Sequence, residues 1–155
     1  MKKTVGMRVS ALGICAIALG SLLPAQAGHT IRIRVLDGKT GLPAEVSNYL
    51  LRVDGRDTVH NDWVHRGDDG TVTATLPANV KEISIQTTDS LSIDTYINCD
   101  VAKENNKDRA VWYPVAEILQ SGIVAPNECG KTHYTAKPGE FLFFVRKRSF
   151  REREF

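Results

Sequence analysis

Several absences narrow the field first. No G-x-S-x-G elbow occurs, and the serines have no histidine beside them, which removes the usual serine-hydrolase signatures. The aspartates Asp54, Asp57, Asp62, Asp68 and Asp69 lack the EF-hand spacing and its terminal glutamate, so they read as turn formers. No internal repeat and no low-complexity block is present. The longest apolar run, Val9 to Leu23, has about 15 residues, short of the ~20 that a membrane-spanning helix needs. Cysteine is scarce at three residues, and tryptophan scarcer at two.

The apolar run has a different meaning. Lys2, Lys3 and Arg8 precede it, and Ala25 and Ala27 follow it in the small-residue positions of an A-x-A cleavage site. This is the pattern of a secretory signal peptide over residues 1–27, cleaved after Ala27. Cys15 is no lipid attachment site, because Ile14 stands where a small residue is required and the run continues past it. The expected location is secreted or periplasmic, with no transmembrane span after cleavage. Removing 27 of the 155 residues leaves 128, with 17 basic and 18 acidic side chains and a charge of −1. The whole-chain value of +2 therefore belongs to the leader. Such a balance gives no electrostatic footprint for nucleic acid.

Cleavage also leaves an even cysteine pair, Cys99 and Cys129. In an oxidising compartment the simplest reading is a disulfide. Closing a loop of ~30 residues would stabilise the fold by roughly 3.5 kcal/mol on the chain-entropy estimate.

The mature chain reads mostly as strands. Thr30–Leu36 alternates, with Ile31, Ile33 and Val35 on one face and Arg32 and Arg34 on the other. Asp37 to Pro43 is a turn, and a second strand is expected over Glu45–Val53, with a bulge near Leu50 and a stop at Asp54-Gly55. Val59, Trp63 and Val64 suggest a ragged strand or two. Asp69-Gly70 is a hairpin signal before the alternating Thr71–Pro77. Glu82–Gln86 alternates again, and Leu91, Ile93, Ile97 and Cys99 share an inward face. Asp100–Arg109 is polar and reads as a solvated loop. The period then changes: Val115, Ile118 and Leu119 form a helical stripe, with Pro114 in the first turn and Gly122 as the stop. Glu140–Arg146 is a strongly apolar final strand. About seven strands with one short helix inserted before the last define an all-β fold, an Ig-like or transthyretin-like β-sandwich. It is expected over residues 28–146, with a charged tail over 147–155.

The stretches Ile33–Val46, Asp68–Pro77 and Glu82–Gln86 carry a resemblance. Thr40-Gly41-Leu42-Pro43-Ala44 between two strands, and Asp69-Gly70 before an alternating strand, resemble the carboxypeptidase regulatory-like domain, a transthyretin-like β-sandwich. The likeness spans Ile31 to Gln86. It departs where that family often has Gly-x-Tyr, since this chain reads Ala78-Asn79-Val80-Lys81 there. The later part, through Glu140–Arg146, looks like tails of secreted bacterial proteins. The resemblance implies a non-catalytic accessory or adhesion-type module and transfers no catalytic residue and no cofactor.

Among side chains that carry chemistry, Cys129 and His133 have a tolerable metal-ligand spacing. Thiolate ligation competes with the disulfide, however, and His60 and His65 face opposite sides of a strand. No metal site is therefore expected. Arg66-Gly67-Asp68 is explained by a turn. Trp63, Trp112 and Tyr113 remain as ligand-binding candidates. Exposed rings stack on sugar faces or anchor protein contacts, whereas a sandwich core also takes one or two of them. The expected role is contact with an envelope or secreted protein. The alternative is binding of a carbohydrate or other small ligand through these aromatics.

Overall fold

The structure is a computed structural model, and it describes residues 28–68, 71–87, 96–100 and 110–149. The signal peptide, Asp69-Gly70, Leu91 and Ile93, the polar stretch from 101 to 109 and the tail from residue 150 lie outside the described residues. Nine strands and one helix occur among them: β1 His29–Asp37, β2 Tyr49–Val53, β3 Val64–Arg66, β4 Val72–Leu76, β5 Glu82–Thr87, β6 Tyr96–Asn98, β7 Tyr113–Pro114, α1 Val115–Gln120, β8 Ile123–Val124 and β9 Glu140–Lys147.

The strands form two open sheets in a sandwich-like arrangement. The larger has the order β3-β4-β1-β9-β6, with β8 also on β9, and the smaller has the order β2-β5-β7. β9 runs parallel to β1, with Ile33 opposite Phe141 and Val35 opposite Phe143. Two short strands share the far edge of β9. β8 lies along Phe141 and Leu142, and β6 along Val145 to Lys147.

Period-2 alternation explains the main core. Ile31, Ile33 and Val35 of β1, Val72, Ala74 and Leu76 of β4, and Phe141, Phe143 and Val145 of β9 are buried against Tyr49, Leu51 and Val53 of β2 and Ile83 and Ile85 of β5. Val115 and Ile118 of α1 close one side of this core. Burying such side chains contributes about 1.5–3 kcal/mol each before conformational entropy is set against it.

Asn98 joins the sheets with polar contacts. Its Oδ1 accepts from the backbone N–H of Thr87 at 3.1 Å, and its Nδ2 donates to the Ile85 carbonyl at 2.8 Å. Its side chain is 8% exposed, and these bonds supply the partners a buried amide requires. Asp54 has a related role. It adopts φ 52° in the turn after β2, and its carboxylate accepts from the N–H groups of Lys81 and Glu82 at 2.9 and 3.1 Å. These bonds, that from Lys81 first, hold its pKa below the usual aspartate value.

Several expectations require correction. β2 begins at Tyr49, not Glu45, because residues 45–48 carry the chain from the larger sheet to the smaller one. The connection after β1 is thus a crossing between layers. β2 has no bulge: its register with β5 is unbroken from Tyr49–Thr87 to Val53–Ile83, and Leu50 is half-buried on the outer face. Nine strands replace about seven because β7 and β8 are two-residue pairings, too short to leave a periodic trace. β8 separates α1 from the last strand. Pro114 sits at the N-cap of α1 with φ −71°, one residue earlier than expected.

Candidate functional site

The outer face of the larger sheet has a dry strip. Leu142 and Phe144 alternate with the core residues of β9 and therefore point away from the smaller sheet. With Leu36 and Cys99 they form a second, separate buried cluster. Cys99 is buried, as its alternation implied, but in this outer cluster rather than between the sheets.

Residues 124–134 cover the strip as a strap. Val124 and Cys129 pack on the cluster. Cys129 is joined to Cys99 by a disulfide with Cα atoms 5.4 Å apart. The Ala125 N–H donates to the Leu142 carbonyl and the Glu128 N–H to the Cys99 carbonyl, at 2.8 and 2.9 Å. The ring of Tyr134 lies 6.1 Å from that of Phe144.

The strap ends on the turn after β1. Asn127 Nδ2 donates to the Gly38 carbonyl at 2.9 Å and Thr132 Oγ1 to the same carbonyl at 3.2 Å. The Tyr134 hydroxyl donates to the Gly41 carbonyl at 2.7 Å. The approach needs glycine on both sides. A Cβ on Gly38 would lie 2.8 Å from the Cys129 Cβ and 2.9 Å from the Cys99 Sγ, and a Cβ on Gly130 would collide with the Gly38 carbonyl. Asp37 fixes the turn itself, since its Oδ1 accepts from the N–H groups of Lys39 and Thr40 and from the Thr40 hydroxyl. Burial is the largest single effect on Asp37 and opposes its charge, yet the bonds from Thr40 and Lys39 together outweigh it, and its pKa is lowered. Asp-Gly-Lys-Thr-Gly is therefore a seat for the strap as well as a break between strands.

The aromatic candidates do not form one site. Trp63 ends a 3-10 turn, Asn61–Trp63, beside β2, and packs against the main core. One face of its ring is covered by His60 at 3.9 Å and 14°. Tyr113 is 7% exposed in the core, and its hydroxyl donates to Asp100 Oδ2 at 2.7 Å. Trp112 is half-buried at the β7 edge of the smaller sheet, across β5 from β2 and Trp63. The Tyr113–Asp100 pair links the two sheets. Burial raises both pKa values, with the Asp100 charge adding to the effect on Tyr113 and the Tyr113 hydrogen bond reducing it on Asp100.

Among the described residues, no three His, Cys, Asp or Glu side chains converge on a metal-binding point. Cys129 is committed to the disulfide, while His133 is exposed on the strap. Arg66, first residue of the Arg-Gly-Asp tripeptide, donates through Nη2 to the Val46 carbonyl. No helix among the described residues is long and apolar enough to cross a membrane.

Sequence reasoning found the disulfide and the turn but missed what lies between them. Asn127, Gly130, Thr132 and Tyr134 carry no periodic signal, because a strap belongs to neither sheet. The one available clue was the pairing of two glycine-bearing segments, Asp37-Gly38 and Cys129-Gly130. Beside this seat lie two of the exposed large hydrophobic side chains among the described residues, Leu42 at 65% and Tyr134 at 40%.

The fold and the strap define a β-sandwich-like domain with a disulfide-fixed outer cover. Comparisons with models of protein families, with curated proteins and with solved structures find no match to this chain.

Proposed function

We propose that the chain is an exported, non-catalytic module of the Ig-like or transthyretin-like sandwich type, similar to the carboxypeptidase regulatory-like domain. It acts by contact with another protein of the cell envelope or its surroundings. The observation that carries this reading is the seat and strap. The disulfide, the glycine pair and three side-chain hydrogen bonds fix two loops against each other, and Leu42 and Tyr134 stand exposed beside them. A rigid apolar pair presented from loops loses little conformational entropy on docking, which favours protein contact. The leader-like residues 1–27 support export.

A photo-crosslinking residue at position 42 tests this in cells. A discrete adduct with an envelope or secreted protein is expected, lost when Tyr134 is changed to Ala. No adduct from a secreted, oxidised protein would remove the contact role. Saturable quenching of tryptophan fluorescence by envelope glycans in its place would assign the role to sugar binding.

A further inference from the structure

We propose that the Cys99–Cys129 bond is a redox latch, whose reduction releases residues 126–134 from the outer sheet face while the sandwich stays folded. Tyr134, half of the contact pair above, lies on this strap and would leave the seat with it, but the test below reads the strap itself and not what binds beside it.

Two features of the architecture point to it. The first is the separation of the two clusters. The main core lies between the sheets, and neither cysteine takes part in it. Among the described residues the outer cluster holds Leu36, Cys99, Leu142 and Phe144, with Val124 and Cys129 at its rim. Opening the strap therefore leaves the inter-sheet packing in place. The second feature is how lightly residues 126–134 are held. Among the described residues a single backbone hydrogen bond, Glu128 N–H to the Cys99 carbonyl, joins them to the sandwich. Three side-chain bonds, from Asn127, Thr132 and Tyr134, reach the Gly38 and Gly41 carbonyls. The net return from four hydrogen bonds is smaller than the backbone entropy of nine ordered residues. The disulfide narrows this deficit, because it ties the strap to the end of β6 and removes part of that freedom beforehand.

Access is one-sided. Cys99 is 1% exposed and Cys129 is partly exposed. A dithiol reductant attacks Cys129 Sγ as its thiolate. The Cys129–Cys99 bond breaks and the Cys99 thiolate takes up a proton. The second thiol of the reductant then displaces Cys129, which is protonated in turn. Two electrons and two protons pass to the protein, and the reductant leaves as its own disulfide. Freed of the strap, Leu36, Leu142 and Phe144 form a new apolar surface.

Limited trypsin digestion of the folded, oxidised protein tests the proposal, with cleavage sites mapped by mass spectrometry before and after dithiothreitol. Lys131 is exposed within the strap, Lys137 is protected by Pro138, and Arg52 inside β2 reports on the sandwich. Reduction is expected to speed cleavage after Lys131 by about tenfold or more, leaving cleavage after Arg52 and the far-ultraviolet strand signal unchanged. Reoxidation should restore protection. An unchanged rate after Lys131 would overturn the proposal, because the strap then stays seated without the bond. Loss of the strand signal together with faster cleavage after Arg52 would also overturn it, because the disulfide then holds the whole fold.

Discussion

Gly38 is the position where the least chemistry has the largest consequence. A methyl group there would press on both sulfur-bearing side chains, so Gly38→Ala should cost about 1–3 kcal/mol by overpacking. Urea denaturation of the oxidised variant measures this, and a change within 0.5 kcal/mol, about the level of a neutral surface substitution, would mean the seat is looser than described. Asn98→Ala removes an acceptor and a donor that the two sheets share, leaving the Ile85 carbonyl and Thr87 N–H unpaired at a loss of about 1–3 kcal/mol. The same denaturation midpoints test it. Asp100 works in the opposite direction. Burial raises its pKa, so its charge at neutral pH opposes folding, and that cost disappears as pH falls below the unfolded value near 3.8. Asp100→Asn, which keeps an acceptor for the Tyr113 hydroxyl, should therefore raise the midpoint at pH 7 and leave it nearly unchanged near pH 3. Asp37 and Asp54 have lowered pKa values, so what their charges contribute is present above about pH 3.8 and is lost as pH falls through their folded values.

At the level of elements, legibility followed periodicity. β1, β4, β5 and β9 were readable because alternation or a long apolar run marks a strand with a buried face. β7 and β8, at two residues each, have no period to read. The stretch from Glu45 does not separate from β2 by pattern: Val46 is apolar and buried, yet its burial comes from crossing between layers, which a one-dimensional pattern does not distinguish from a strand. Cys99 was rightly placed among buried residues and wrongly assigned to the inner face, since β9 is buried on both faces and a covered outer face looks like a core. For the strap, replacing both cysteines by serine should lower stability by roughly 2–5 kcal/mol, the range for losing a native disulfide. Thermal or urea unfolding of the oxidised protein against the double variant checks this, and no difference would show that the strap adds nothing to the sandwich.

At the scale of the whole molecule, the described residues make two layers and a cover. The candidate aromatics lie apart: the core took Tyr113, His60 stacks on Trp63, Trp112 is half-buried beside β7, and the exposed pair beside the seat is Leu42 and Tyr134. Neither of these last two was legible, because exposure at a loop contact is decided by the strap's path and not by local pattern. The path itself rests on β1 pairing with β9 and not with β2. Nuclear Overhauser contacts in the oxidised protein test that arrangement directly. Close contacts of Gly130 Hα with Lys39 Hα and of Gly38 Hα with Cys129 Hβ, with parallel-strand contacts linking Ile33 to Phe141, are the expected result. Contacts of a β1–β2 hairpin instead, with none between the turn after β1 and the strap, would contradict both the layering and the seat.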